Sequence, residues 1–407
     1  MQKQSAELSE GWEASEPGAR GSNQTGVRAY NERLVLTLIR QKGALSKSEI
    51  ARITGLSAQT VSVIMRHLEA DGLLVKGEPV RGRIGQPSIP MNLRDDGAFF
   101  FGLKVGRRSV DLILVDFTGN IRGRTHFLHR YPDPDQVVSF TNIAVKQLLD
   151  RLTEVERARV AGLGIAIPFR LWDWAQPLGV EDMDMKVWRN RDIRAELAGN
   201  WQFPVYLQND ASSACGAELV FGTGERPSDF LYFFVGFFIG GGLVLNNNLY
   251  TGRFGNAAAL GSMPVWNDGK KTVSLLEVAS LAGLEAELTR GGLSGDMIWQ
   301  SPHDWTIPAA LLDEWVNTAA KGMAFAAASA AIMLDLGCVV VDGWLPAKVR
   351  TELVRATQHH LSGIGVVGAE LPTIQEGSIG SDARSLGAAS LPLSERFLVD
   401  KSAGIAG

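Results

Sequence analysis

Gln59, Thr60, Ser62 and Arg66 lie within one short stretch. Their types suit hydrogen bonding to base edges and phosphates. An amide such as Gln59 matches adenine, and a guanidinium such as Arg66 matches guanine or a phosphate. The hydroxyls of Thr60 and Ser62 can serve either kind of base. Further along, Arg81 and Arg83 share a loop with Gly85 and offer cations for phosphates or a minor groove. Together these residues point to recognition of double-stranded DNA, provided the chain presents them on one surface.

Three helices would do so. The first is predicted over residues 30–41, with Leu34, Val35, Leu38 and Ile39 on one face and Gly43 at its end. The second opens at Ser46-Lys47-Ser48-Glu49, a capping box, and closes at Gly55. Ser57 is the N-cap of the third, over residues 58–70. Val61, Ile64, Met65 and Leu68 bury one face of it. Gln59, Thr60, Ser62, Val63 and Arg66 project the other way, with Ser57 at their edge. This is a helix-turn-helix whose last helix would enter the major groove. Two strands follow, over residues 73–76 and 88–93, and the loop with Arg81 and Arg83 is then a wing.

Charge follows the same division. The 407 residues carry a net charge of −4. Residues 27–94 hold eleven basic and five acidic side chains, or +6. Residues 1–26 are −2, Ser/Gly/Glu/Gln-rich, and read as a disordered leader. The remainder is near −8, so a basic module stands on an acidic body. An ordinary solvated face is the alternative for the helices. The capping box, the small polar face, the wing and the charge together favour DNA.

Composition bounds the rest. Hydrophobic residues make up 45% and charged residues 21%, which excludes a disordered chain, a collagen and a coiled-coil rod. Cys215 and Cys338 are too few for a disulfide framework or a Cys-cluster zinc site, and read as buried thiols. No apolar signal segment opens the chain, and its apolar runs are too short to span a bilayer. A cytoplasmic protein without membrane contact is expected.

From about Asp95 strands alternate with helices. Residues 99–105 and 109–116 read as a strand pair, 140–152 as an amphipathic helix, and 160–167 as a buried strand ended by Pro168. A second strand–helix series starts at Pro204, so two successive α/β halves are expected.

The most specific motifs lie between residues 205 and 265. They are Gln208-Asn209-Asp210-Ala211, then Gly236-Phe237-Phe238-Ile239-Gly240-Gly241-Gly242-Leu243-Val244, then Gly255-Asn256-Ala257-Ala258-Ala259-Leu260-Gly261-Ser262-Met263. Here the chain resembles the ROK family of repressors, open reading frames and sugar kinases. The resemblance runs from Tyr30 to Leu393 and takes in Val340-Val341-Asp342-Gly343 and Asp382-Ala383-Arg384-Ser385-Leu386-Gly387-Ala388-Ala389. It implies an actin/hexokinase-like body. A winged helix-turn-helix fused to such a body resembles the family's sugar-responsive transcriptional regulators.

Departures from the family pattern indicate the branch. Where its kinases place an Asp and a Gly-Gly-Thr run for metal and phosphate, this chain has Lys104-Val105-Gly106-Arg107-Arg108. A lysine cannot ligate Mg²⁺, and bulky cations cannot form a close backbone cradle. Phe237 and Phe238 replace a Thr and a Gly in the second phosphate loop. Gly240–Gly242 remain, either as a phosphate loop or for close strand packing. Asp210 matches the kinases' catalytic base and Asn209 its sugar-binding neighbour. The family's regulators keep that pair for sugar. A plain capping Asn-Asp at a strand–helix turn is the alternative.

The family's sugar-binding Glu is Ala259 here, and its sugar- and zinc-binding His is Ser262, without the accompanying cysteines. Zinc, other metals and cofactors are therefore not expected. Arg170 follows a strand end where pocket residues fall and could meet an anionic effector. Trp172 or Trp174 could stack on a sugar or simply pack. Asp184 stands where the family has an Asn.

The expectation is an α/β protein: an N-terminal winged helix-turn-helix followed by a two-lobed ROK body. Residues 1–26 are the leader, 27–94 the DNA-binding domain, 95–205 the first lobe and 206–407 the second. A last helix at about 381–393 packs back on the first lobe. The DNA candidates are Ser57, Gln59, Thr60, Ser62, Arg66, Arg81 and Arg83. The effector candidates are Asn209, Asp210, Arg170 and Asp184. Expected partners are a palindromic operator, a small carbohydrate or derivative, and further copies of the chain as a homodimer or higher homo-oligomer. The function is transcriptional regulation of carbohydrate genes without catalysis. The rivals are a body that is only a dimerisation or docking scaffold, and an ATP-dependent sugar kinase.

Overall fold

A computed structural model describes residues 24–79, 88–169, 171–173, 185–224, 227–267 and 271–399. The chain opens with α1 (Gln24–Lys42), α2 (Lys47–Thr54) and α3 (Ala58–Ala70), then strands β1 (Leu74–Lys76) and β2 (Met91–Leu93). Helix α1 starts six residues ahead of the predicted Tyr30. Residues 26–29 are exposed, so no apolar periodicity marks them. Strand β2 starts at Met91 rather than Ser88, because Pro90 lacks the N–H that would extend the ladder. β1 and β2 pair antiparallel, and Leu45 bridges to Met91.

The first lobe follows with β3 (Phe99–Val105), β4 (Ser109–Asp116), β5 (Ile121–Leu128), α4 (Pro134–Leu149), α5 (Glu154–Arg157), β6 (Val160–Ile167), α6 (Ile193–Ala198) and β7 (Val205–Asn209). Its sheet order is β5-β4-β3-β6-β7. Strand β3 is buried on both faces. Phe99, Phe101 and Leu103 join the core under α4, whereas Phe100 joins a different core on the opposite face. Alternation therefore also turns Lys104 to the face of Phe100. Asp133 caps α4 by accepting the Gln136 N–H at 2.9 Å, with Pro134 in the first turn. That cap starts the helix six residues before the predicted Phe140.

The second lobe comprises α7 (Asp210–Phe221), β8 (Phe230–Val235), β9 (Gly240–Leu245), β10 (Asn248–Tyr250), β11 (Pro264–Asn267), β12 (Lys271–Ser274), α8 (Leu275–Ala279), α9 (Leu281–Arg290), α10 (Ala309–Leu334), β13 (Cys338–Gly343), α11 (Ala347–Ser362) and β14 (Thr373–Glu376). Its main sheet runs β10-β9-β8-β13-β14. Each large sheet thus has three antiparallel strands followed by two parallel ones, in the same chain order. The first sheet reaches Asn209, past the expected division at 205.

The last described helix, α12 (Ala383–Phe397), lies on β3 and β6 of the first sheet and against α7 of the second lobe. A Cβ added at Gly164 would sit on the Ala388 carbonyl, and one at Gly387 on the Ser213 carbonyl. Glycine at these two positions lets backbone meet backbone. One continuous core joins Val35, Ile39, Val61 and Met65 of the first helices to Phe100 and Phe117, to Ala214 and Cys215 of α7, and to Ala389 and Phe397 of α12. Both cysteines are buried and neither is in a disulfide. Among the described residues, no helix is long and apolar enough to cross a membrane.

Candidate functional site

The first candidate surface is the outer face of α3. Val61, Ile64, Met65 and Leu68 are buried beneath it. Gln59, Thr60, Val63 and Arg66 are exposed and Ser62 is half-buried. The turn that aims α3 is built locally. Ser46 and Glu49 cap α2 reciprocally, and Gly55 ends it at a φ of 73° while donating its N–H to the Ala51 carbonyl. The Ser57 hydroxyl accepts the Thr60 N–H at 3.1 Å and meets Thr60 Oγ1 at 2.8 Å. Ser57 is therefore occupied as the cap, and the free polar reach of the face belongs to Gln59, Ser62 and Arg66. Arg81 and Arg83 lie outside the described residues, as do Arg170 and Asp184.

Sequence reasoning missed the flank contributed by α1. Arg28 and Asn31 line one groove with Gln59, Thr60, Val63 and His67. Arg28 donates to Glu32 at 2.9 Å and also meets the His67 ring. The start of α1 carries no apolar pattern, so nothing in the sequence brought it beside α3.

The second candidate is the cleft between the lobes. Asn209 Oδ1 accepts the N–H groups of Ala211 at 3.0 Å and Ser212 at 3.2 Å, so Asn209 caps α7. Asp210, the first residue of α7, faces Arg384 at 3.4 Å, and each side chain is 16% exposed. The Arg384 guanidinium stands 4.8 Å from the Phe234 ring centroid.

Nearby, Lys104 is buried, and its Nζ donates to Asp111 at 2.5 Å and to Ser109 at 2.8 Å. Burial pushes the lysine pKa down and Asp111 opposes it. Burial raises the Asp111 carboxyl, but Lys104 overcomes this and holds it below its ordinary value. His129 is a further group without a signal in the sequence. Both ring nitrogens are buried, beside the backbone of Gly106 and Ser109. Burial lowers its pKa to about 4, with Lys104 adding to the effect.

At the mouth of the cleft, residues of the first lobe hold the second. Arg107 lies 3.4 Å above the Phe237 ring centroid and 3.4 Å from Glu285. Arg108 bonds Glu285 at 2.7 Å and Asp296 at 2.9 Å. The loop bearing Phe237 is fixed in turn, because Leu281 and Ala282 donate their N–H groups to the carbonyls of Gly236 and Phe237.

Gly240, Gly241 and Gly242 each face a close neighbour: Ala211, Leu260 and Cys215 respectively. At Gly240 and Gly242 the lack of a Cβ serves packing of β9 against α7, and at Gly241 it makes room for Leu260. Trp172 is half-buried against the first-lobe core, a packing role, and Trp174 lies outside the described residues. Among the described residues no group of three His, Cys, Asp or Glu side chains could hold a metal ion.

Comparison with known proteins fits this architecture. The ROK family pattern matches residues 100–394, and a winged helix-turn-helix DNA-binding pattern matches residues 28–75. The chain belongs to the ROK family and carries an N-terminal winged helix-turn-helix. It is 23% identical to the xylose repressor of Bacillus subtilis over 61% of its own length and 64% of that protein's. The chain thus spans under two thirds of that curated relative. A crystal structure of a ROK family transcriptional regulator, a homolog of the E. coli MLC protein, superposes with a TM-score of 0.65 at 17% identity. It covers 91% of this chain and 97% of that one. A ROK glucokinase from Streptomyces griseus, in complex with glucose and AMPPNP, gives a TM-score of 0.56 at 20% identity over 72% of this chain and 99% of that one. The fold is therefore shared by regulators and kinases.

Proposed function

We propose that the protein is a DNA-binding transcriptional regulator, in the repressor manner, acting on carbohydrate genes in the cytoplasm. The observation that carries this reading is the α3 face, where the polar side chains Gln59, Thr60 and Arg66 stand outside a fully apolar underside. Such a helix reads base edges from the major groove. Two copies related by a twofold axis would meet the halves of a palindromic operator.

The body, in this reading, is non-catalytic. Lys104 is tied to Asp111 where a metal-binding carboxylate would be needed, and Arg107 stacked on Phe237 fills the approach to the second phosphate loop. Asn209, Asp210 and Arg384 supply polar groups for a small carbohydrate or derivative, with Arg170 and Asp184 as further candidates. An effector would shift the protein between two states only through unequal affinity for them.

Selection of genomic DNA fragments by the full-length protein tests the reading, with the Gln59→Ala/Arg66→Ala variant as control. Deleting the first helices is unsuitable, since their core is continuous with the body's. One palindromic site enriched by wild type and lost in the variant is expected. Equal enrichment by both would end the reading. Incubation with ATP, Mg²⁺ and a panel of sugars should yield no phosphorylated product, and any product would restore the kinase. The mutual pairing of Asp210 with Arg384 and of Lys104 with Asp111 favours a second reading, a body that only dimerises or docks a protein. Saturable quenching of tryptophan fluorescence by one sugar would reject it.

A further inference from the structure

Helices α7 and α12 belong to different lobes yet start together and end together. At the cleft, Asp210 on the first turn of α7 faces Arg384 on the first turn of α12 at 3.4 Å. Along their length they are fastened to different sheets. Cys215 of α7 packs on Gly242 of β9, whereas Ser385 and Ala388 of α12 press their carbonyls on Gly102 of β3 and Gly164 of β6. They cross where Gly387 meets the Ser213 carbonyl.

At their far ends, both meet the DNA-binding module. Phe221 is the last residue of α7 and Phe397 the last of α12. Phe397 packs edge-on against Phe100 at 5.9 Å and Phe117 at 5.0 Å between ring centroids. Arg40 of α1 lies 5.1 Å from the Phe117 centroid and 5.7 Å from that of Phe221, and donates to the Phe117 carbonyl. Val399, just beyond α12, donates its N–H to Thr37 Oγ1 of α1 at 3.1 Å.

We propose that Arg40 is a positioning residue through which the relative placement of the two lobes reaches the DNA-reading helix. It touches one aromatic ring from each lobe, Phe117 from the first and Phe221 from the second. Helices of 12 and 15 residues are stiff rods of about 18 and 22 Å. Any sliding of α7 past α12 at the Asp210–Arg384 end therefore displaces Phe221 relative to Phe117.

Arg40 cannot follow both rings. It is half-buried, its Nε is enclosed without a partner among the described residues, and cation–ring attraction weakens as the ring withdraws. Helix α1 must then shift, and α3 with it, because Val35 and Ile39 share a core with Val61 and Met65. The inference rests on the reading above only in taking the cleft as the effector's site and α3 as the DNA reader.

The test needs neither effector nor operator. Hydrogen exchange is followed in the full chain for wild type, Arg384→Gln, Phe221→Leu and the double variant. Arg384→Gln frees the cleft ends of the two helices. Expected is a change of about 3- to 30-fold in exchange of α1 amides 36–42, the range of coupling energies between linked sites. That change should vanish when Phe221→Leu is also present. A response confined to residues 209–216 and 383–388 would overturn the proposal, as would an unchanged α1 response in the double variant. If Phe221→Leu fails to fold, Arg40→Lys replaces it, keeping the charge while losing the flat stack on the rings. A wild type that binds no genomic site would sink the regulator reading and leave the exchange result to judge the coupling alone.

Discussion

At the scale of single residues, the two surfaces differ in how they were readable. Gln59 and Arg66 were legible because a helix presents every third or fourth side chain on one side, and their apolar neighbours mark the other side. Arg66→Ala should weaken binding to the selected operator by about 1–3 kcal/mol if it reads a guanine, and relax preference at that base pair. Competition binding against single-base operator variants measures both. The cleft pair was half legible. Asp210 sits in a motif, but its partner Arg384 is 174 positions away, and no local pattern joins them. His129 was invisible for the same reason: its burial is made by Lys104 and the β3–β4 turn. Folding keeps that imidazole neutral down to about pH 4, against an ordinary 6.5. The unfolded chain therefore binds the extra proton between these values, and stability falls as pH drops through that window. His129→Phe should flatten this part of the pH dependence of urea unfolding, with little change at pH 7.5.

Elements were predicted best where caps were written in the residues. The Ser46–Glu49 box and the Ser57 cap located α2 and α3, and both stand within a residue of expectation. Ser46→Ala should cost about 1 kcal/mol of stability, read from the denaturation midpoint. Where caps were less plain, the bounds slipped. Strand β5 was not anticipated, since residues 121–128 alternate polar and apolar weakly and face solvent along one side. The last helix was expected to stop near residue 393 but continues through Pro392 to Phe397. Proline removes one helical hydrogen bond, yet Pro392 packs on Gly162 and Phe397 is anchored between two rings. Tertiary contact overrides the local signal. Gly387→Ala would drive a methyl into the Ser213 carbonyl and should destabilise the chain by about 3 kcal/mol or more, visible as a lowered Tm.

At the scale of the molecule, the two halves were expected from the alternation of strands and helices. That the halves share one strand order, and that the first sheet keeps β7, depends on pairings between distant segments. Beside the packing of α7 on α12, contacts among the described residues join the lobes at the cleft: Asp210 with Arg384 inside, and Arg107 and Arg108 with Phe237, Glu285 and Asp296 at the mouth. Arg108→Glu sets like charges against Glu285 and Asp296, so the lobes should spend more time apart. Small-angle scattering should then report a larger radius of gyration, restored when Glu285→Arg is added. A radius unchanged in Arg108→Glu would mean that the inner contacts suffice to hold the cleft.

The placement of α12 also bears on how the molecule is made. Strands β3 and β6 leave the ribosome early, but the helix that covers their glycine-lined face comes from residues 383–397. Until that segment emerges, Phe100 and Phe117 lack Phe397, and α1 lacks the Thr37–Val399 bond. An interrupted translation product would therefore carry helices α1 to α3 without the seat that orients them. On the proposed function, a cell would be spared operator-binding fragments that no effector could release.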